Sequence, residues 1–214
     1  MLSNVKKFFL YFLLLFSVSL LHAQKVSRAT EALLDAKYTK AADLYEDVLK
    51  KDSINVVAHV GLTKTRLKQY ETAKQVQPLS DYVLCLQNLK KTKYLFSYVD
   101  KDDKKLLNEK LFFFSSAQVE DLRQSLSSIL WNEFFSKNMH IDSIQLFYDE
   151  YSFGEKIKEA ALKRLSTLHY ERIQYSSNLK DFKEFVGRFK TYPETDKAIE
   201  DIQRLEITEA LLSE

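Results

Sequence analysis

Along Tyr38–Leu62 the apolar positions recur at three- and four-residue spacing. Tyr38, Ala41, Tyr45, Val48 and Leu49 make one stripe, with Lys40, Asp43, Glu46, Asp47, Lys50 and Lys51 mostly between them. This spacing predicts an amphipathic helix to about Lys51, stopped by Asp52-Ser53. Upstream, Lys25–Lys37 predicts a helix whose Ala29, Ala32, Leu33 and Ala36 form a narrow face of small residues, broken near Lys37-Tyr38-Thr39. Downstream, a third helix is expected from Ile54 to Lys68, with Val57, Ala58, Gly61, Leu62 and Thr65 on one side. Gly61 costs that helix ~1 kcal/mol relative to Ala, and a close helix–helix contact is the usual compensation. A turn at Gln69-Tyr70 and a short helix Glu71–Gln77, ended by Pro78, complete this portion.

The middle, residues 79–137, predicts three more helices. Asp81–Val99 carries Val83, Leu84, Leu86, Leu89, Leu95 and Phe96; Asp100–Lys105 reads as a charged turn. Leu106–Phe114 is strongly apolar and is read either as core or as a contact surface. Ser115 and Gln118 have the spacing of a capping box. Val119, Leu122, Leu126, Ile129, Leu130 and Phe134 then form a helical stripe. In the last third, shifting residues 141–173 by 38 places Ile141 on Leu179, Ile144 on Phe182, Phe147 on Phe185, Tyr151 on Phe189 and Ala160 on Ala198. Each unit reads as a short aromatic helix, a turn and a longer helix, a period expected of stacked helical hairpins.

Ala41, Tyr45 and Val48, with Tyr38 before them, have the spacing of the second helix of a tetratricopeptide repeat, and residues 26–75 resemble that family. Ala58, Gly61 and Leu62 resemble the first helix of a following repeat, with Tyr70 and Ala73 in its second. The family's usual proline is replaced by Ser53. The last third is similar to repeats of periplasmic tetratricopeptide-like proteins, including the soluble lipoprotein of outer-membrane barrel assembly. The resemblance implies an all-α fold, an α-solenoid of stacked antiparallel helical hairpins. It also implies a partner-binding groove lined by the first helix of each pair, which makes Asn55, His59, Thr63 and Arg66 the candidate groove residues.

Composition narrows the class. With 3 Gly and 2 Pro in 214 residues, and 45% apolar against 29% charged, long helices with short connections are favoured over an all-β fold. The first 24 residues hold Lys6 and Lys7 and no acid, so the remainder carries 30 basic residues, two fewer than the whole chain, against 30 acidic. That balance argues against nucleic acid as a partner, because phosphate binding needs concentrated positive charge. The 24 residues themselves resemble a bacterial export signal: Lys6-Lys7, the apolar run Phe8–Leu21, and His22-Ala23-Gln24 at a cut after Ala23 or Gln24. That run would rise only ~21 Å as a helix, short of the ~30 Å hydrocarbon core. Export to the periplasm or the outer envelope is therefore expected, with no lipoprotein cysteine near the cut. The domain reading is a signal peptide over 1–24 and a helical-repeat domain over 25–214. The domain divides into regular hairpins (25–78), a degenerate middle (79–137) and two units of period near 38 (138–214).

Little in the chain points to reaction chemistry. The single cysteine, Cys85, lies in an apolar helical run and reads as a buried small hydrophobe. His59, His140 and His169 are too far apart in sequence for a local metal motif. No glycine-rich phosphate loop or nucleophile elbow is present. Catalytic, cofactor and metal residues are expected to be none. The expectation is a non-enzymatic protein–protein interaction scaffold of the cell envelope, with a protein or peptide partner that can be membrane-associated. The alternative is a subunit of an outer-membrane assembly or transport machine; a third class is a hydrolase with a site assembled across the array. The partner surface is expected where the pattern departs from the family.

Overall fold

The computed structural model describes residues 24–213. The export signal expected over residues 1–24 lies, up to residue 23, outside them. The described residues are all-helical, 79% helix with no strand, and divide into two compact units meeting at Leu126/Ser127. No helix among them is long and apolar enough to cross a membrane.

The first unit holds α1 (24–34), α2 (Tyr38–Lys51), α3 (Val56–Ala73), α4 (Leu79–Leu95), α5 (Lys101–Lys110) and the start of α6 (Gln118–Leu130). Its centre is α3, which packs on α2, α4 and α5 and buries every residue from Val56 to Thr63. Of the stripe read on α2, Ala41, Tyr45 and Val48 are buried, with Ala42 beside them, and Tyr38 and Leu49 are half-buried. A Cβ added to Gly61 would collide with the Tyr45 ring, so the glycine gives that ring its seat. The Tyr45 hydroxyl meets Thr30 Oγ1 at 2.9 Å, and Thr30 gives its own proton to the Val26 carbonyl at 2.9 Å. Tyr45 is therefore the donor, and burial raises its pKa. Cys85 is buried in α4.

Several boundaries differ from expectation for identifiable reasons. Ala36 does not extend the small-residue face of α1. It sits at φ 57° just beyond the helix, where the Lys37 N–H bonds the Ala32 carbonyl at 2.8 Å in a left-handed C-terminal closure. The turn expected at Gln69-Tyr70 is absent, because nothing between Arg66 and Ala73 breaks a helix. Lys68–Glu71 pair at 2.8 Å on the exposed side, and the end comes at Lys74 with φ 52°. Tyr70 and Ala73 thus belong to α3 and not to a separate second helix. The charges at Asp100–Lys105 start a helix: Asp100 accepts from the N–H groups of Asp102 and Asp103, both at 2.9 Å, and the exposed Asp102 sits in a first turn that favours an acid.

The second unit contains the end of α6, continued as a π-helical turn (Trp131–Phe135), then α7 (Ile141–Leu146) with its own π-turn (Phe147–Tyr151), α8 (Glu155–Ile173), α9 (Leu179–Arg188) and α10 (Pro193–Leu212). An offset of 38 residues separates Ile141 from Leu179, and also Glu155 from Pro193, the starts of corresponding helices. Ile144 and Phe182, and Phe147 and Phe185, are buried in equivalent places. The turns differ: Gly154 uses φ 85° before α8, whereas Tyr192 keeps φ −98° and Pro193 opens α10. α8 packs on α7, α9 and α10.

Candidate functional site

The four residues expected to line a groove hold positions inside the first unit. Asn55 caps α3, its Oδ1 accepting from the Ala58 N–H at 2.9 Å while its Nδ2 donates to Asp52 at 3.1 Å. His59, Thr63 and Arg66 are 2%, 0% and 8% exposed. Thr63 donates to the His59 carbonyl at 2.9 Å. Arg66 binds Glu46 at 2.7 Å, Asp81 at 2.8 Å, Gln77 at 2.9 Å and Gln69 at 3.1 Å, joining α2, α3, α4 and the segment before α4. That fork engages both terminal nitrogens of a buried guanidinium, which lysine would do poorly, and leaves Nε without a partner among the described residues. α3 is enclosed on all sides here, so an amphipathic reading of one face does not apply to it.

Of the four, His59 reaches a cleft of about 350 Å³ shared with Leu49, Leu62, Leu84, Asn88 and Lys91. Its Nε2 stands 3.0 Å from the Ser53 carbonyl, which only a protonated Nε2 can bond, and Nδ1 has no partner. Burial, above all, lowers its pKa. A neutral imidazole with one nitrogen bonded to a carbonyl and packed beside Leu49, Leu62 and Leu84 is suited to packing more than to proton transfer.

A larger groove, about 490 Å³, opens on another part of the same unit. Leu33, Leu67, Leu111 and Leu122 line it with Tyr38 and Phe112, and Lys64, Lys68 and Lys110 stand around them with the single carboxylate Glu71. Its rim is built by the segment after α5. Leu111 is buried, Phe112 is at φ 49° and 63% exposed, Phe113 is buried, and Phe114 is 60% exposed. The apolar run is thus both core and surface, alternating residue by residue. Gln118 holds it there: its Oε1 accepts from the Phe114 N–H at 2.6 Å and the Ser115 N–H at 3.2 Å, and its Nε2 donates to the Phe112 carbonyl at 3.2 Å. This is the backward reach expected of a capping-box glutamine. A phenylalanine at positive φ is strained by ~1–3 kcal/mol and persists only where its surroundings impose it. Lys68 is tied to Glu71 and its pKa is raised by that bond. Lys64 is lowered by burial and by the charge of Lys68. The groove therefore combines an apolar floor with positive charge that Glu71 offsets only in part.

Among the described residues no cluster of three or more His, Cys, Asp or Glu side chains is placed to hold a metal ion. No protein-family model, no curated protein and no solved structure matches the chain.

Proposed function

We propose that this chain is an exported, tetratricopeptide-like helical scaffold of the bacterial envelope. In this reading it takes up an acidic, amphipathic segment of a partner protein in the groove beneath Phe112. The observation that carries the reading is the pairing of a leucine-lined groove with three lysines and one carboxylate, beside a phenylalanine held outward at positive φ. Apolar residues of the partner would cover the leucines and Phe112. Its carboxylates would meet Lys64 and Lys110, restoring the charge that burial disfavours on Lys64. Helix-in-groove recognition of this type is anchored by a few apolar side chains, with charge setting register and association rate.

The test is a photo-crosslinking residue at position 112 in the intact envelope. One stoichiometric protein adduct, reduced by Lys64→Glu/Lys110→Glu, is the expected result. No protein adduct, or one indifferent to charge reversal, refutes the groove reading. Recovery of the adduct only from detergent extracts would instead assign the chain to a membrane-embedded machine.

A further inference from the structure

The second unit contains a cleft of about 600 Å³ formed by α8, α9 and the turn between them. His169 lies in its wall, stacked on Phe189 with ring centroids 5.5 Å apart. Two arginines converge on that imidazole: Arg172 Nη2 is 3.5 Å from Nδ1 and Arg188 Nη1 is 3.4 Å from Nε2. The guanidinium of Arg188 also lies 5.0 Å from the centre of the Phe189 ring and donates to Gln145 of α7.

This arrangement is unbalanced in hydrogen bonding and in charge. A guanidinium can only donate, and a neutral imidazole has one lone pair and one N–H. One of the two arginines must therefore face an N–H that cannot accept from it. A protonated imidazole would accept from neither. The carboxylates in the wall are engaged elsewhere. Asp181 accepts from Ser176 at 2.7 Å and from Asn178 at 3.2 Å, and Glu184 lies 3.7 Å from Lys180. Among the described residues neither Arg172 nor Arg188 pairs with a carboxylate, and Asp142 of α7 is the acidic group that acts on His169. Two positive charges thus sit at one edge of an open cleft, over an aromatic floor, with at least one unmatched donor between them.

We propose that this cleft binds the phosphoryl group of a small phosphorylated molecule, held by the guanidinium groups of Arg172 and Arg188 and by the imidazole N–H of His169. A phosphoryl dianion matches the two guanidinium charges, whereas a carboxylate would leave one uncompensated. Its oxygens can accept from both arginine forks and from the ring, removing the donor conflict. The cleft is larger than a phosphoryl group needs, so the rest of the molecule would lie toward Ile173 and the exposed Tyr175. Burial and then the charges of Arg188 and Arg172 push the His169 pKa down to about 4. A bound dianion opposes both charges, so occupancy raises the pH at which His169 titrates.

The experiment is a titration of the full-length chain with inorganic phosphate and, separately, with acetate at constant ionic strength. The readout is the imidazole proton resonance that is lost in His169→Gln. The expected result is saturable binding of phosphate, about tenfold or more tighter than acetate, with a rise in the His169 titration midpoint. Arg172→Gln/Arg188→Gln should weaken phosphate binding by about tenfold or more. If the double variant loses helical circular dichroism, Arg172→Gln alone should weaken binding by about threefold or more, since this exposed side chain has His169 as its contact. Equal affinity for acetate, a response that follows ionic strength alone, or undiminished binding in the folded variant overturns the proposal.

Discussion

A single absent methyl group decides how α2 sits on α3. The Tyr45 ring occupies the space where a Cβ of residue 61 would be. Alanine there gains ~1 kcal/mol of helix propensity but forces a buried ring to move, which costs ~1–3 kcal/mol or more in a packed core. Gly61→Ala is therefore expected to lower stability in urea unfolding, and a gain would mean that the ring has room to swing aside. Asp103 gives a pH-dependent counterpart. Burial, with Asp100, Asp52 and Asp102 nearby, raises its pKa from 3.8 to about 6. Between those values the unfolded chain is ionised at this residue while the folded chain is not. The folded state then binds more protons, so stability falls as pH rises through the window. Asp103→Asn should stabilise the protein at pH 7 by up to about 1 kcal/mol, discounted for its partial exposure, and should have no effect below about pH 4. Equal effects at both pH values would remove the electrostatic explanation.

At the scale of elements, the sequence was most legible where one helix face is buried and the other wet. Tyr45 and Val48 on α2, and Val119 and Leu126 on α6, occupy the core as their spacing predicts. It was least legible at α3, where Val56–Thr63 are buried on every side and no polar face reports orientation. Asn55, His59, Thr63 and Arg66 were expected in a groove because the repeat resemblance puts the first helix of each pair there; instead Asn55 caps α3, His59 packs beside a cleft, Thr63 bonds the His59 carbonyl and Arg66 is an ion-pair hub. The ends of α1 and α3 were misread because Ala36 and Lys74 take the left-handed conformation usually given to glycine. The run Leu111–Phe114 gave no means of telling core from surface until Gln118 fixed alternate residues to opposite sides. Two substitutions separate strain from function. Ala36→Gly and Phe112→Gly should each raise stability by about 1 kcal/mol, measured by thermal or urea unfolding, because each relieves a positive φ. Only Phe112→Gly should reduce partner capture, assayed by crosslinking from Tyr38 instead. A loss with both variants would trace capture to general stability.

Across the whole molecule, 79% of the described residues are in helix, and far-UV circular dichroism should report a predominantly helical chain. A strand-rich spectrum would refute the architecture. The scarcity of glycine and proline made this class readable, since few residues interrupt the helical periods. The offset of 38 residues was readable from the matching of aliphatic, aromatic and alanine positions, and corresponding helices start at that same offset. The division at Leu126/Ser127 was not, because it falls within the continuous stripe of α6, where periodicity carries no sign of a boundary. The cleft around His169 was equally hidden. Arg172 is three residues from His169 on α8, but Arg188 belongs to α9, and no local motif joins them.

Cys85 is the only thiol in the chain and is 1% exposed, its pKa raised by burial to about 12. In the closed state it is both inaccessible and protonated, so a thiol reagent can modify it only after the packing around α4 opens. The ratio of its labelling rate to that of an unstructured thiol therefore works as a clock for opening of the first unit. The second unit has no cysteine and is silent in that measurement. One buried atom thus lets opening of the first unit be timed on its own, without a label having to be introduced.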